Sequence, residues 1–176
     1  MGSCGLLWAQ TNAPLKNSAE QEIGLHADHF YYDGNARQLV YYDHVLATNA
    51  QGKLTCARLT INLPAEGSAD SRPTNVVAET NVAIDFVQKG DTNHITSDKA
   101  IYAYSVVNTV TNETLTFTGH ARGENSSGWL TGEPLIWDNI ANRFTGPNIE
   151  THFRIPASSA NGTNASGTNA SPMKPF

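Results

Sequence analysis

The stretch ITSDKAIYAYSVVNTVTNETLTFTGHA, Ile95 to Ala121, decides the fold. It reads as two strands around a polar turn. Ile95, Ala100, Tyr102 and Tyr104 supply an extended half, and Asn108 to Asn112 interrupt it. Leu115 and Phe117 then alternate with Thr114, Thr116 and Thr118, the period-two pattern of a strand with one buried face. Gly119 closes the unit.

Working outward, the rest of the chain reads as looser copies of this unit. Leu25 to Val45 (LHADHFYYDGNARQLVYYDHV) turns at Asp33-Gly34-Asn35, a strong hairpin signal. Leu54 to Val82 opens as LTCARLTINLP, loops through Ala65 to Pro73 and returns as NVVAETNV. That loop, rich in Ser, Gly, Asp and Pro, is the expected mobile segment of the body. Leu130 to Ile149 (LTGEPLIWDNIANRFTGPNI) turns around Asp138 to Asn142. Each copy opens on an aliphatic residue, then Thr or His, a small residue and usually a polar one. Ile95-Thr96-Ser97-Asp98, Leu130-Thr131-Gly132-Glu133, Leu54-Thr55-Cys56-Ala57 and Leu25-His26-Ala27-Asp28 correspond in this way. One hairpin cannot bury its apolar face alone, so repeats of this size stack.

Composition agrees. The chain has 176 residues, room for one domain with tails, and only 15% are charged. Thr, Val and Tyr favour strands, Asn and Gly favour the turns between them, and long helical periodicity is absent. The fold class expected is all-β. A net charge of −5 without a basic stripe excludes the cationic footprint of nucleic-acid binding. It also excludes a polybasic attachment to anionic lipid. No apolar run has the length of a membrane-spanning helix.

Residues 1–22 read as a signal remnant or leader followed by a linker. Gly5 to Gln10 resembles the end of a signal peptide's apolar region, with Ala9 at a plausible cleavage point. Residues 23–156 form the expected body. Residues 157–176, with SSANGTNASGTNASP, are an expected disordered tail without an apolar anchor. Of the two cysteines, Cys4 lies in the leader and Cys56 in a strand, so a buried free Cys56 is expected rather than a disulfide.

Reactive chemistry finds no home. His26 and His29 bracket Asp28, but residues three apart on a strand point to opposite faces, so no metal site is expected. His44, His94, His120 and His152 are scattered singly near turns or strand ends. No nucleophile motif, phosphate-binding Gly loop or HExxH occurs. Asp85 and Glu79 lack the context of a glycosidase acid pair. Neither an enzyme nor a cofactor is expected.

The copies resemble the OstA-like family of periplasmic lipopolysaccharide-transport proteins, to which LptA belongs. Ile95 to Tyr102 and Leu115 to Ala121 carry the likeness best. The family's closing Gly-Asn-Val is met by Asn81-Val82 and loosely by Asn148-Ile149, whereas Asp43-His44-Val45 and Gly119-His120-Ala121 put His in place of Asn. The resemblance covers roughly Leu25 to Ile149 and implies an open, twisted β-jellyroll of stacked V-shaped hairpin repeats. It further implies a groove for the acyl chains of lipid A, end-to-end oligomers through edge strands, and LptC-like and LptD-like partners across the periplasm. Energy would come from an ATPase elsewhere.

Val82, Ile84 and Phe86 share one strand face, and Leu115 and Phe117 share another. With Ile95, Tyr102 and Trp137 they form the expected lipid-binding groove. From the residues alone, the same side chains also suit an ordinary sandwich core that binds nothing. Two alternatives follow. One is a secreted β-sandwich module for carbohydrate or protein, for which Trp129 and Trp137 would be a stacking platform. The other is an LptC-like membrane-anchored partner that lost its anchor.

Overall fold

The computed structural model describes residues 22–68, 72–88, 90–141 and 143–155. The leader with Cys4, residues 69–71 of the long loop and the polar tail lie outside them. Twelve strands are present among the described residues. They are β1 (Gly24–His26), β2 (His29–Asp33), β3 (Gln38–Asn49), β4 (Gly52–Asn62), β5 (Asn75–Gln88) and β6 (Asp91–Val107), then β7 (Val110–Thr118), β8 (Arg122–Asn125), β9 (Gly128–Thr131), β10 (Leu135–Asp138), β11 (Arg143–Thr145) and β12 (Glu150–Phe153). All pairings are antiparallel and join into one open sheet.

The sheet divides into two limbs. In the first, β2 pairs with Gln38–Tyr42 of β3, and the ladder continues through Arg58–Asn62, Asn75–Glu79 and Lys99–Val107 to β7, β10 and β11. In the second, β1 pairs with Leu46–Thr48, and the ladder runs on through β4, β5 and the first half of β6 to β8, β9 and β12. The long strands therefore belong to both limbs and turn a corner between them.

The second and third copies turn their first corner in the same way. Inward residues follow the spacing i, i+2, i+5, i+7, as in Leu54, Cys56, Leu59 and Ile61 or Ile95, Ser97, Ala100 and Tyr102. The period of two slips by one residue, so the strand bends while both halves keep their apolar face inward. At the slip, Ser97 Oγ donates to the Lys99 carbonyl at 3.1 Å. Cys56 Sγ donates to the Arg58 carbonyl at 3.2 Å, the same bond in the neighbouring copy.

The return corner uses positive φ instead. Asp43-His44, Thr80-Asn81 and Gly119-His120 all lie in the left-handed region, with φ between 50° and 73°. His in place of Asn therefore leaves the corner geometry unchanged. Gly119 is required twice over. A Cβ there would come within 2.7 Å of three Asp98 side-chain atoms, and its φ is +73°.

Both inner faces feed a single core. Across the first limb one row runs Ile61, Val76, Tyr102, Leu115, Trp137 and Phe144. Across the second, Leu54, Ile84, Ile95, Gly123 and Leu130 face it. The sheet is thus folded onto itself along the line of corners, and aliphatic and aromatic burial holds the limbs together.

Two turns differ from expectation. The turn after β6 is Asn108-Thr109 alone, both at positive φ, because this pair fits the strand twist and lets pairing resume at Val110. The first hairpin turns over the four residues Gly34 to Arg37 rather than at Asp33-Gly34-Asn35. The Asp33 carboxylate accepts the N–H groups of Asn35 and Ala36, and Arg37, at φ 52°, makes the left-handed reversal.

Candidate functional site

A cavity of about 270 Å³ lies between the limbs at the C-terminal end of the sheet. The first limb contributes Trp137 and Phe144, and the second contributes Phe86, Ile95, Leu130 and Phe153. The strands place them there by register. Phe86 ends the inward row Val82-Ile84-Phe86 of β5, and Trp137 and Phe144 are directly paired on β10 and β11. Gly123 and Gly128 also border the cavity and add no side-chain bulk to its wall. Gly128 cannot be replaced, since a Cβ would sit 1.8 Å from the His152 carbonyl oxygen. Phe153 is 76% exposed at the rim.

The eight residues expected to line a groove divide into two sets. Phe86, Ile95 and Trp137 line the cavity. Val82, Ile84, Tyr102, Leu115 and Phe117 belong to the buried core deeper between the limbs. Tyr102 places its hydroxyl 3.3 Å from Glu113 Oε1, and burial drives its pKa upward, with the Glu113 charge adding to the effect.

Both ends of the sheet are open edges among the described residues. At the N-terminal end β1 and β2 each pair only with β3, and at the C-terminal end β11 pairs only with β10 and β12 only with β9. Phe30, Tyr31 and Tyr32 are exposed on β2, and Phe153 and Ile155 are exposed on or just beyond β12.

The histidines are less scattered than they look in the sequence. His44 Nδ1 lies 2.7 Å from Asp28 Oδ2, and His120 Nδ1 lies 3.0 Å from Asp98 Oδ2. Each pair joins the head of a copy to its own closing corner, beside a backbone bond from Asp28 N–H to the Asp43 carbonyl or from Asp98 N–H to the Gly119 carbonyl. His94 meets Asp85, which also pairs with Lys53 at 3.2 Å. Burial acts to raise the Asp85 pKa, but the bonds from His94 and Lys53 outweigh it, and the net shift is downward. Glu79 pairs instead with Lys99 at 2.9 Å, so the two acids considered for glycosidase chemistry serve separate ion pairs on separate limbs. No group of three metal-ligating side chains occurs among the described residues.

Trp129 also borders the cavity, and its ring is stacked. Its ring lies 4.9 Å from His152 at 14°, and the Arg122 guanidinium sits over it at 4.6 Å. Cys56 is free and buried, with burial pushing its thiol pKa up to about 11.

No protein-family model matches the chain, and no curated protein matches it in sequence. A solved structure does match. It is that of LptH, the LptA-homologous periplasmic component of the lipopolysaccharide transport device from Pseudomonas aeruginosa. The match has a TM-score of 0.62 and covers 77% of this chain and 97% of that one, at 16% identity. The fold is LptA-like. The four sequence copies are the layers of this LptA-like jellyroll, each crossing both limbs, as the resemblance implied.

Proposed function

We propose that this chain is a periplasmic carrier that shelters the acyl chains of lipopolysaccharide between its limbs. It then passes them along a row of like-folded partners. The observation that carries this reading is an apolar cavity opening at an unpaired sheet end in an LptA-like fold. Phe86, Ile95, Trp137 and Leu130 are the contacting side chains, and the core beneath them is the apolar floor along which a groove would extend.

The energetics favour a conduit over a reservoir. Burying a methylene is worth about 0.8 kcal/mol, so a twelve-carbon chain fully sheltered gains roughly 10 kcal/mol over water. Release into water is then very slow, whereas transfer into an equivalent neighbouring groove costs little. A chain of this kind needs no active-site chemistry of its own. Its partners are LptC-like and LptD-like proteins or further copies, added as strands at β1 and β2 or at β11 and β12.

Leu130→Asp tests the reading, because it places a charge in the cavity wall without touching a corner. Its lipopolysaccharide binding, measured with purified protein, is expected to fall about tenfold or more while the β-sheet circular dichroism is retained. Undiminished binding by the folded variant would reject the proposal.

A further inference from the structure

The polar side chains of the cavity wall all belong to the second limb, while the first limb contributes Trp137 and Phe144. His94 and Glu124 are engaged in ion pairs with Asp85 and Arg122. Ser127 and Thr151 are exposed, and their single hydroxyls turn freely to water. Asn93 and Asn125 differ. They lie two residues from Ile95 and Gly123 on β6 and β8, so they share the inward face of those residues. Both are half-buried, and Asn125 Nδ2 donates to Asn93 Oδ1 at 3.2 Å. Asn125 Oδ1 accepts the Ser127 N–H at 2.9 Å, and Ser126 Oγ donates to Asp91 Oδ1 at 2.8 Å, which ties the two hairpin turns together. These bonds fix the direction of both amides. Among the described residues Asn93 Nδ2 has no hydrogen-bond partner, and it is open to solvent.

The pair sits at the free rim of its limb. Asn93 is paired with Phe86, and Gly128, opposite Asn125, is paired with Phe153. The rim row is therefore an amide pair between two phenylalanines. The row of Ile95, Gly123 and Leu130 lies roughly 7 Å nearer the corner and is apolar. Along this wall the surface changes from hydrocarbon to amide in one direction, towards the rim.

We infer that the Asn93–Asn125 pair holds the junction between acyl chain and headgroup, with the Asn93 amide donating to an oxygen of that junction. The oxygen is that of an ester or amide carbonyl or of the hydroxyl beside it. This inference rests on the proposed carrier function and names the part of the ligand that is recognised. The chain lies tail inward, its methyl end against Ile95, Leu130 and Trp137 and its headgroup at the rim. A plain hydrocarbon chain strips water from the Asn93 amide and gives nothing back, whereas a junction oxygen replaces the lost bond. Asn93 is then a specificity residue, and Ile95 and Leu130 supply affinity that does not discriminate.

Two probes of equal chain length separate these roles. Monododecanoylglycerol carries an ester and hydroxyls, and dodecyltrimethylammonium carries no acceptor. Both are added to isotope-labelled protein below the concentrations at which they form micelles. Monododecanoylglycerol is expected to move the Asn93 side-chain amide resonances downfield and to show nuclear Overhauser contacts from its glycerol protons to them. Its terminal methyl is expected to contact the methyl groups of Ile95 and Leu130 instead. Dodecyltrimethylammonium is expected to reach the same methyl groups without the downfield shift. Asn93→Leu, close in volume and without the amide, is expected to weaken monododecanoylglycerol about fivefold and to leave dodecyltrimethylammonium no weaker. With Ile95 and Leu130 signals reporting occupancy, any of three results would overturn the inference and leave the carrier reading standing. They are Asn93 resonances without the downfield shift, terminal-methyl contacts at Asn93, or an equal loss of both probes in Asn93→Leu. If neither probe perturbs Ile95 or Leu130, both the inference and the carrier reading fall.

Discussion

His44 and His120 stand where the return corner of the second copy has Asn81, and each faces an aspartate at the head of its own copy. The second copy has Ala57 at that head position, so the exchange of Asn for His goes with the presence of Asp. The sequence held this signal in the aligned openings, but it became legible only once the corners placed head and close together. The hydrogen bond between the partners, aided by their opposite charges, holds His44 above its ordinary 6.5 and Asp28 below its ordinary 3.8. A raised histidine stabilises fully below its unfolded pKa and loses this as pH rises through the folded value. A depressed aspartate stabilises above its unfolded pKa and loses this as pH falls. The window of stabilisation therefore runs from about pH 4 to about pH 6.5. Both groups are exposed, so the effect is small. The Tm difference between the natural protein and His44→Asn should be largest inside that window and shrink as pH rises through the raised His44 pKa; a difference independent of pH would contradict the account.

Cys56 and Ser97 make the same bond at the same corner. Cys56→Ser should therefore leave stability within about 1 kcal/mol, while Cys56→Val, which removes the donor and adds a branch, should cost about 1–3 kcal/mol in urea unfolding. Equal losses in both variants would show that the thiol serves only as filler.

At the scale of the element, the decisive pattern is written in the sequence of β6 and β7. Ile95, Ala100, Tyr102 and Tyr104 do not keep one parity, and the structure shows why, because the slip between Ser97 and Ala100 is the corner. The strands, their pairing within each copy and the repeat were legible because period two and turn residues are local signals. Turn length was not. Asp33-Gly34-Asn35 marks the turn, yet the Asp33 carboxylate, accepting two backbone N–H groups, carries the loop on to Arg37, and the long-range pairing of β2 with β3 sets that length. The cavity was legible only in part. Phe86, Ile95 and Trp137 were on the expected faces, but alternation cannot tell a core position from a cavity wall. Leu130, Phe144 and Phe153 come from short strands whose place depends on distant partners. Gly119 gives the clearest test of the corner. Gly119→Ala combines a left-handed φ with a Cβ pressed into Asp98, and should lower unfolding free energy by about 1–3 kcal/mol. A loss below about 0.5 kcal/mol would mean that the corner relaxes freely.

For the whole molecule, the fold leaves strand edges at both ends among the described residues, and proteins usually protect such edges against association. Here the C-terminal edge is flanked by Phe153 and Ile155, both largely exposed. In the carrier reading these edges join copies or partners and align one cavity with the next. Phe153→Lys with Ile155→Lys should reduce concentration-dependent assembly in sedimentation velocity without changing the fold of the single copy. Unchanged assembly would move the contact elsewhere.

The central claim is that lipid occupies the space between the limbs, and site-specific photo-crosslinking tests it most directly. A photoreactive residue at Phe86 faces the cavity, and one at Val87, its neighbour on the same strand, faces solvent. With lipopolysaccharide present, the account predicts adducts at position 86 and none at 87. Adducts at both positions alike, or at neither in the folded protein, would contradict it.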